Sequence, residues 1–215
     1  MSTQRTITFF HSPHTRSSST FTLLEELGAP YDMRVLNMKA GEQRQPAYLA
    51  VNPLGKVPAI RDGDTVVTEQ VAIFIHLADR FPEAGLAPFL DDPRRGAYLR
   101  WLVYYAACFE PALVDRSMGR EPAPQMSSPY GDFDSMLGVI DAQLQRSPYL
   151  LGDTMSAADV LWGSALGWAM AYAGVPRLPA LAAYAERMGA RPASKRVEER
   201  DMALVAAHEA ALVPG

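Results

Sequence analysis

Cysteine is nearly absent: Cys108 is the only one, so no disulfide can form within the chain, and a reducing compartment is expected. No grouping of Cys and His has zinc-site spacing. His11 and His14 stand without further Cys or His nearby, so they read as turn residues rather than ligands, and no metal is expected. Basic charge is not in excess either. Lys and Arg total 20 against 24 Asp and Glu, a formal net charge of −4, which gives no general attraction to nucleic acid or an anionic membrane. The opening "MSTQRTITFF" contains no apolar stretch of signal-peptide length, and no later run approaches the ~20 apolar residues of a membrane span. The expectation is a cytoplasmic protein with no membrane partner. "GKV" after "NPL" lacks the second glycine and the Ser or Thr of a phosphate-binding P-loop. There is no internal repeat and no low-complexity segment.

What is present is globular: 48% of the 215 residues are hydrophobic and 20% charged. That length exceeds the usual domain mode of about 100 to 150 residues, so one large domain or two smaller ones is expected. "RTITFFH" (5–11) is a β-rich segment. A polar "SPHTRSSST" follows, then "FTLLEELGAPYD", where Phe21, Leu24 and Leu27 recur at helical spacing before a stop at Gly28. "YDMRVL" (31–36) reads as a second strand, and "EQRQPAYLAVNP" as a short irregular helix stopped near Asn52 and Pro53. Asp62-Gly63 between "VPAIR" and "DTVVT" predicts a hairpin with a type I′ turn. Thr68 is placed to cap a helix from Glu69 to about Arg80, with Val71, Ile75 and Ala78 along one apolar face. Residues 1–81 therefore read as βαβαββα. Pro58, set among Val57, Ala59 and Ile60, is out of place in an ordinary strand, because proline cannot donate to a ladder.

Beyond a Pro- and Gly-rich linker (82–93) strand signals stop, and 94–215 read as an all-α domain. One helix is expected from about Arg94 to Asp115 with a bend at Pro111. In another, Phe133, Met136, Leu137, Ile140 and Leu144 share a face. "GREPAPQMSSPYG" lies between them as a loop. "SAADVLWGSALGWAMAYAG" starts with Ser156 and, three residues on, Asp159, a short capping box that Met155 and Val160 are placed to staple. Cys108 reads as a small buried hydrophobe, and Trp162 and Trp168 as core residues of the helical domain.

Three segments, "NPLGKVPAI", "TEQVAIFIHLADRF" and "LLGDTMSAADV", occur in this order and separation inside a βαβαββα half followed by helices. The pattern resembles the cytosolic glutathione transferases over nearly the whole chain, in particular bacterial serine-type members similar to the beta, theta and zeta classes. The resemblance implies an N-terminal thioredoxin-like domain followed by an all-helical one. It also implies a cis Val57-Pro58 bond, with the Val57 amide and carbonyl facing a peptide ligand as in strand addition. A trans proline on an edge strand is the alternative. Glutathione is the ligand so implied, as co-substrate. The Gln70 amide at the helix N-terminus would take the γ-glutamyl carboxylate. Glu69 would meet the ammonium group and Lys56 the glycyl carboxylate. Gln70 stands where the family usually has serine, a departure that touches the γ-glutamyl contact.

Family members place a Tyr, Ser or Cys after the first strand to stabilise the thiolate. Here that loop offers hydroxyls only. Alignment to bacterial members favours Ser17, with Arg16 beside it adding positive potential, and the theta and delta pattern favours Thr15. A serine run before a helix also serves as a simple N-cap. Tyr105 and Phe109 are candidates for the wall of a pocket holding a small apolar electrophile, or else for core or dimer interface. Two function classes follow. One is a glutathione transferase, conjugating or running a related isomerisation, dehalogenation or peroxide reduction in detoxification, as a homodimer. The other is a non-catalytic ligand-binding or interaction module on the same fold.

Overall fold

Strand β1 (Ile7–His11) is the centre about which the first part of the chain is built. Its alternate residues Ile7, Phe9 and His11 are buried, as the period of two in a strand requires. In the computed structural model, which describes residues 6–121 and 123–211, β1 pairs in parallel with β2 (Tyr31–Val35). It pairs antiparallel with β3 (Ala59–Asp62), which in turn pairs antiparallel with β4 (Thr65–Thr68). The mixed sheet has the order β2-β1-β3-β4. Helices α1 (Ser17–Leu27) and α3 (Gln70–Arg80) pack on one face, where Phe9, Phe21, Leu24, Ile60, Phe74 and Leu77 form a core closed to solvent. Phe10, pointing the other way, meets Tyr48 of the short α2 (Pro46–Leu49), ring centroids 5.5 Å apart. Helix α1 ends at Gly28, whose left-handed φ of 61° lets the closing amides turn back onto Leu24 and Glu25. This is the thioredoxin-like βαβαββα arrangement expected.

Two details differ from expectation. The hairpin turns on Gly63 and Asp64, because Asp62 already pairs with Thr65. Only Gly63 of the two has positive φ, which is the requirement of a type II′ turn rather than a type I′ one. The residue at the N-cap position of α3 is Glu69, whose side chain makes no capping bond, and not Thr68, which is still held in the ladder opposite Ala59.

The domain boundaries also differ. One compact unit comprises the chain up to Ala84 together with Pro192 onward; the other spans Gly85–Arg191. The last helix, α9 (Pro192–Ala210), therefore joins the N-terminal unit and not the helical one. It packs on α1, where Arg196 and Arg200 reach the Glu25 carboxylate at 3.0 and 3.5 Å and Arg200 lies over the Phe21 ring.

The regular elements described in the second unit are helices: α4 (Arg95–Tyr104), α5 (Glu110–Ser117), α6 (Phe133–Leu144), α7 (Ala157–Tyr172) and α8 (Pro179–Gly189). The expected bend in the first of these lies just ahead of Pro111, as a wide π-helical turn over Tyr105–Phe109 that separates α4 from α5. Trp162 is the centre of this core. It is fully buried, donates to the Trp101 carbonyl at 2.9 Å and touches Phe109 at a centroid distance of 5.0 Å. Trp168, expected in the core, is instead 54% exposed. Six residues along a helix rotate by about 240°, which carries it away from the face of Trp162.

The start of α7 holds the expected capping box. The buried Asp159 carboxylate accepts from the Ser156 amide and hydroxyl, the Leu150 amide and the Tyr184 hydroxyl. Burial pushes its pKa up even against those hydrogen bonds. Where α7 meets α8, a Cβ on Gly163 would stand 2.3 Å from the Met188 Cβ, closer than two carbons can come. Gly163→Ala is therefore expected to cost about 1–3 kcal/mol despite alanine's better helix propensity. A lowered denaturant midpoint with unchanged slope is the expected reading, and an unchanged or raised midpoint would show that the two helices part freely.

Candidate functional site

The register of the sheet brings three chain segments to one edge. Phe10 faces Ala59 in the antiparallel pair, so the next positions, His11 and Pro58, adjoin. Ala59 faces Thr68, so Pro58 is flanked on its other side by Glu69. The turn after β1, the approach to β3 and the start of α3 therefore share this edge with the start of α1. Gln70 joins the two helix ends, its side-chain nitrogen donating to the Arg16 carbonyl at 2.9 Å and to the Ser19 hydroxyl at 2.5 Å.

Within the β1–α1 turn the hydroxyls form a chain. Thr15 Oγ1 lies 2.7 Å from Ser17 Oγ, and both contact the Ser12 carbonyl, at 2.8 and 3.0 Å. Ser17 Oγ accepts from the Ser12 amide at 3.1 Å and meets His11 Nδ1 at 2.9 Å. The other imidazole nitrogen, Nε2, lies 2.8 Å from Asp201 Oδ1. Asp201 Oδ2 accepts from the His14 amide and the Ser18 hydroxyl. Burial alone would raise the Asp201 carboxyl. The hydrogen bonds from His11, Ser18 and the His14 amide outweigh it and hold the pKa below the usual carboxylate value.

Of the predicted residues, Ser17 is fully buried, its hydroxyl committed to these partners. Thr15, at the outer end of the chain, is partly exposed, and Arg16 is exposed. The Val57–Pro58 bond is cis, and among the described residues neither the Val57 amide nor its carbonyl has a hydrogen-bond partner. Lys56 is exposed at its side chain, while its carbonyl is anchored by the Tyr48 hydroxyl and by Asn52 at 2.9 Å. Glu69 is exposed and holds φ 65°, ψ 116°, a strained conformation that costs on the order of 1–3 kcal/mol and occurs mostly at functional positions. No side chain caps α3 there, so its first amides remain open to an anion. The Gln70 carboxamide is not available in the same way, because it ties α3 to α1.

Tyr105 and Phe109 lie in the helical unit, 4% and 0% exposed. They pack on Trp162 at 5.6 and 5.0 Å, and the Tyr105 hydroxyl donates to Glu110. They are core side chains of that unit and present no open wall to a second substrate. His11, read as a turn residue, is buried at the end of β1, whereas His14 does sit in a turn, with φ 54°. No group of three or more His, Cys, Asp and Glu among the described residues is placed to hold a metal. The residue that sequence reasoning missed is Asp201, 190 positions from its partner His11. Its signal was faint but physical: Ala193, Val197 and Asp201 follow at four-residue spacing and all three are buried, which puts an acid on an apolar stripe.

Residues 5–79 match the glutathione S-transferase N-terminal domain family and residues 130–187 the corresponding C-terminal domain family. Glutathione S-transferase F10 of Arabidopsis thaliana is 32% identical over 149 residues, covering 64% of this chain and 68% of that protein. The glutathione S-transferase-like protein gedE of Aspergillus terreus is 30% identical over 200 residues, covering 81% and 86%. Among solved structures, a sphingomonad glutathione S-transferase complexed with glutathione is similar over 91% of this chain and 98% of its own, with 30% identity and a TM-score of 0.74.

The depressed Asp201 carboxyl has a consequence for stability. A carboxyl whose folded pKa lies below its unfolded value, near 4, contributes in full above that value and loses its contribution as pH falls through the folded one. Asp201→Asn should therefore lower stability at neutral pH by roughly 2 kcal/mol. It should also flatten the fall in stability between about pH 4 and the acid limit. Urea unfolding across that range reads both; parallel wild-type and variant curves would remove the assigned role.

Proposed function

The chain belongs to the glutathione S-transferase family, and on that premise we propose that it binds glutathione at the sheet edge described above and directs the thiolate at a small electrophile. The observation that carries this reading is the pair of unpartnered Val57 backbone groups beside the uncapped start of α3. An extended tripeptide satisfies both: its cysteinyl backbone pairs with Val57 in the manner of strand addition, and its γ-glutamyl carboxylate lies on the open amides of Gln70 and its successors. The exposed Glu69 carboxylate pairs with the γ-glutamyl ammonium, and Lys56 with the glycyl carboxylate, so a zwitterionic ligand meets charges of opposite sign.

The sulfur is then met by Thr15. A hydroxyl stabilises a thiolate by donating to it, and it can do so only where the ligand reaches. Ser17 is fully buried while Thr15 is partly exposed, so Ser17 supports the donor from behind. By the same family premise the protein acts in the cytoplasm as a homodimer, in detoxification. The electrophile class stays general, since the side chains first considered for its pocket, Tyr105 and Phe109, are spent on the helical core.

Thr15→Val removes the hydroxyl at nearly constant volume. Turnover of a model electrophile is expected to fall on the order of tenfold to a hundredfold, with glutathione affinity changed by less than about threefold. Steady-state kinetics at saturating electrophile, with glutathione varied, separate the two. Unchanged turnover would remove Thr15 from the reaction.

A further inference from the structure

The Asp201–His11–Ser17–Thr15 chain does more than a turn needs. Its three links measure 2.8, 2.9 and 2.7 Å, each within normal hydrogen-bond length. Only its outer end meets solvent: the Asp201 and His11 side chains are 3% and 0% exposed and Ser17 is buried, whereas Thr15 is partly exposed. An ionised carboxylate on Nε2 holds the proton of a neutral imidazole on that nitrogen, which leaves the Nδ1 lone pair facing Ser17. The buried Ser17 hydroxyl and then the partly exposed Thr15 lead from that lone pair outward. A turn needing only fixed geometry is already served by the Ser12 carbonyl, which both hydroxyls contact.

We propose that His11 is the proton acceptor for the glutathione thiol, reached through Thr15 and Ser17 and stabilised as imidazolium by Asp201. This rests on the reading that the thiol sits at Thr15. The thiol proton passes to Thr15 Oγ1, the Thr15 proton to Ser17 Oγ, and the Ser17 proton to His11 Nδ1. One S–H bond breaks and one N–H bond forms. Each hydroxyl loses one proton and gains one, and no electrons change hands. Once the thiolate is consumed, the imidazolium returns its proton along the same path to water. The Ser12 carbonyl is the competing acceptor for both hydroxyls. The groups facing the His11 ring are Phe9 on its own strand, Ser17 and Phe21 on α1, and Asp201 on α9. Asp201 is the ionisable one among these, and Arg200 on the same helix lies over the Phe21 ring. His11 and Asp201 touch neither ligand nor solvent and act through the hydroxyls, as a relay.

Nitrogen NMR of the full chain carrying labelled histidine tests this. The chain has 4 histidines, and the His11 signals are assigned by their loss in His11→Gln. With glutathione bound, the His11 ring nitrogens should move from the neutral pattern to the imidazolium pattern while the ultraviolet absorbance of the bound thiolate appears. With S-methylglutathione, which carries no thiol proton, they should stay neutral. Ser17→Ala cuts the path but keeps Thr15, and there His11 should stay neutral with glutathione bound and the bound thiol pKa should rise by about one unit. A thiolate formed in the wild-type protein while His11 stays neutral overturns the relay and leaves glutathione binding intact. A wild-type protein that binds neither ligand overturns both readings.

Discussion

The hydrogen bond between His11 and Asp201 is the constraint on which the architecture of the N-terminal unit turns. It joins the end of the central strand to a helix formed by the last part of the chain, and both groups are withdrawn from water. A buried carboxylate without partners would be expensive; here it accepts from a ring nitrogen, a backbone amide and a hydroxyl. The return of α9 onto α1 follows, and with it the assignment of the terminal helix to the first unit. That bond also determines which imidazole nitrogen faces Ser17. One interaction thus links long-range topology to the orientation of the hydroxyls in the first turn.

Labour at the site is divided between backbone and side chains. The contacts that would hold a peptide come from main-chain groups the fold leaves unused, at Val57 and at the start of α3. Such groups are placed by strand register and helix start, so they demand little of side-chain identity. On the proposed reading, the chemistry of the thiol would depend instead on a few side chains between β1 and α1, where the partly exposed Thr15 is placed to meet the ligand and the buried Ser17 to support it. Gln70 illustrates the trade: its carboxamide bridges the starts of α1 and α3, so that a ligand would be left to the backbone amide and to Glu69.

Features that rest on local chemistry were legible in the sequence. Gly28 ends α1 because its left-handed φ is needed there, and Ser156 with Asp159 announces the start of α7 through a box only three residues long. Pro58 marked the start of β3 as something other than an ordinary strand, because a ladder cannot use it. The hairpin was readable to within one residue; its turn type was not, since the pairing of Asp62 with Thr65 shifts the bend onto Gly63 and Asp64. The start of α3 was missed by one residue for a similar reason: Thr68 has the right side chain for a cap but is held by the sheet. Asp201 lay beyond local reasoning, because nothing near it in the chain states that its partner is His11. Tyr105 and Phe109 were placed by analogy rather than by packing, and the pull of Trp162 on neighbouring aromatics became visible only in three dimensions.

The central claim is that the open backbone groups around Val57 and the first turn of α3 receive glutathione. A calorimetric titration of the full chain with glutathione, repeated in buffers of different ionisation enthalpy, addresses it most directly. Saturable binding of one tripeptide per chain, with the proton of the thiol accounted for in the buffer dependence, is the predicted result. No binding heat at millimolar glutathione would contradict the account and leave a shared fold without assigned chemistry.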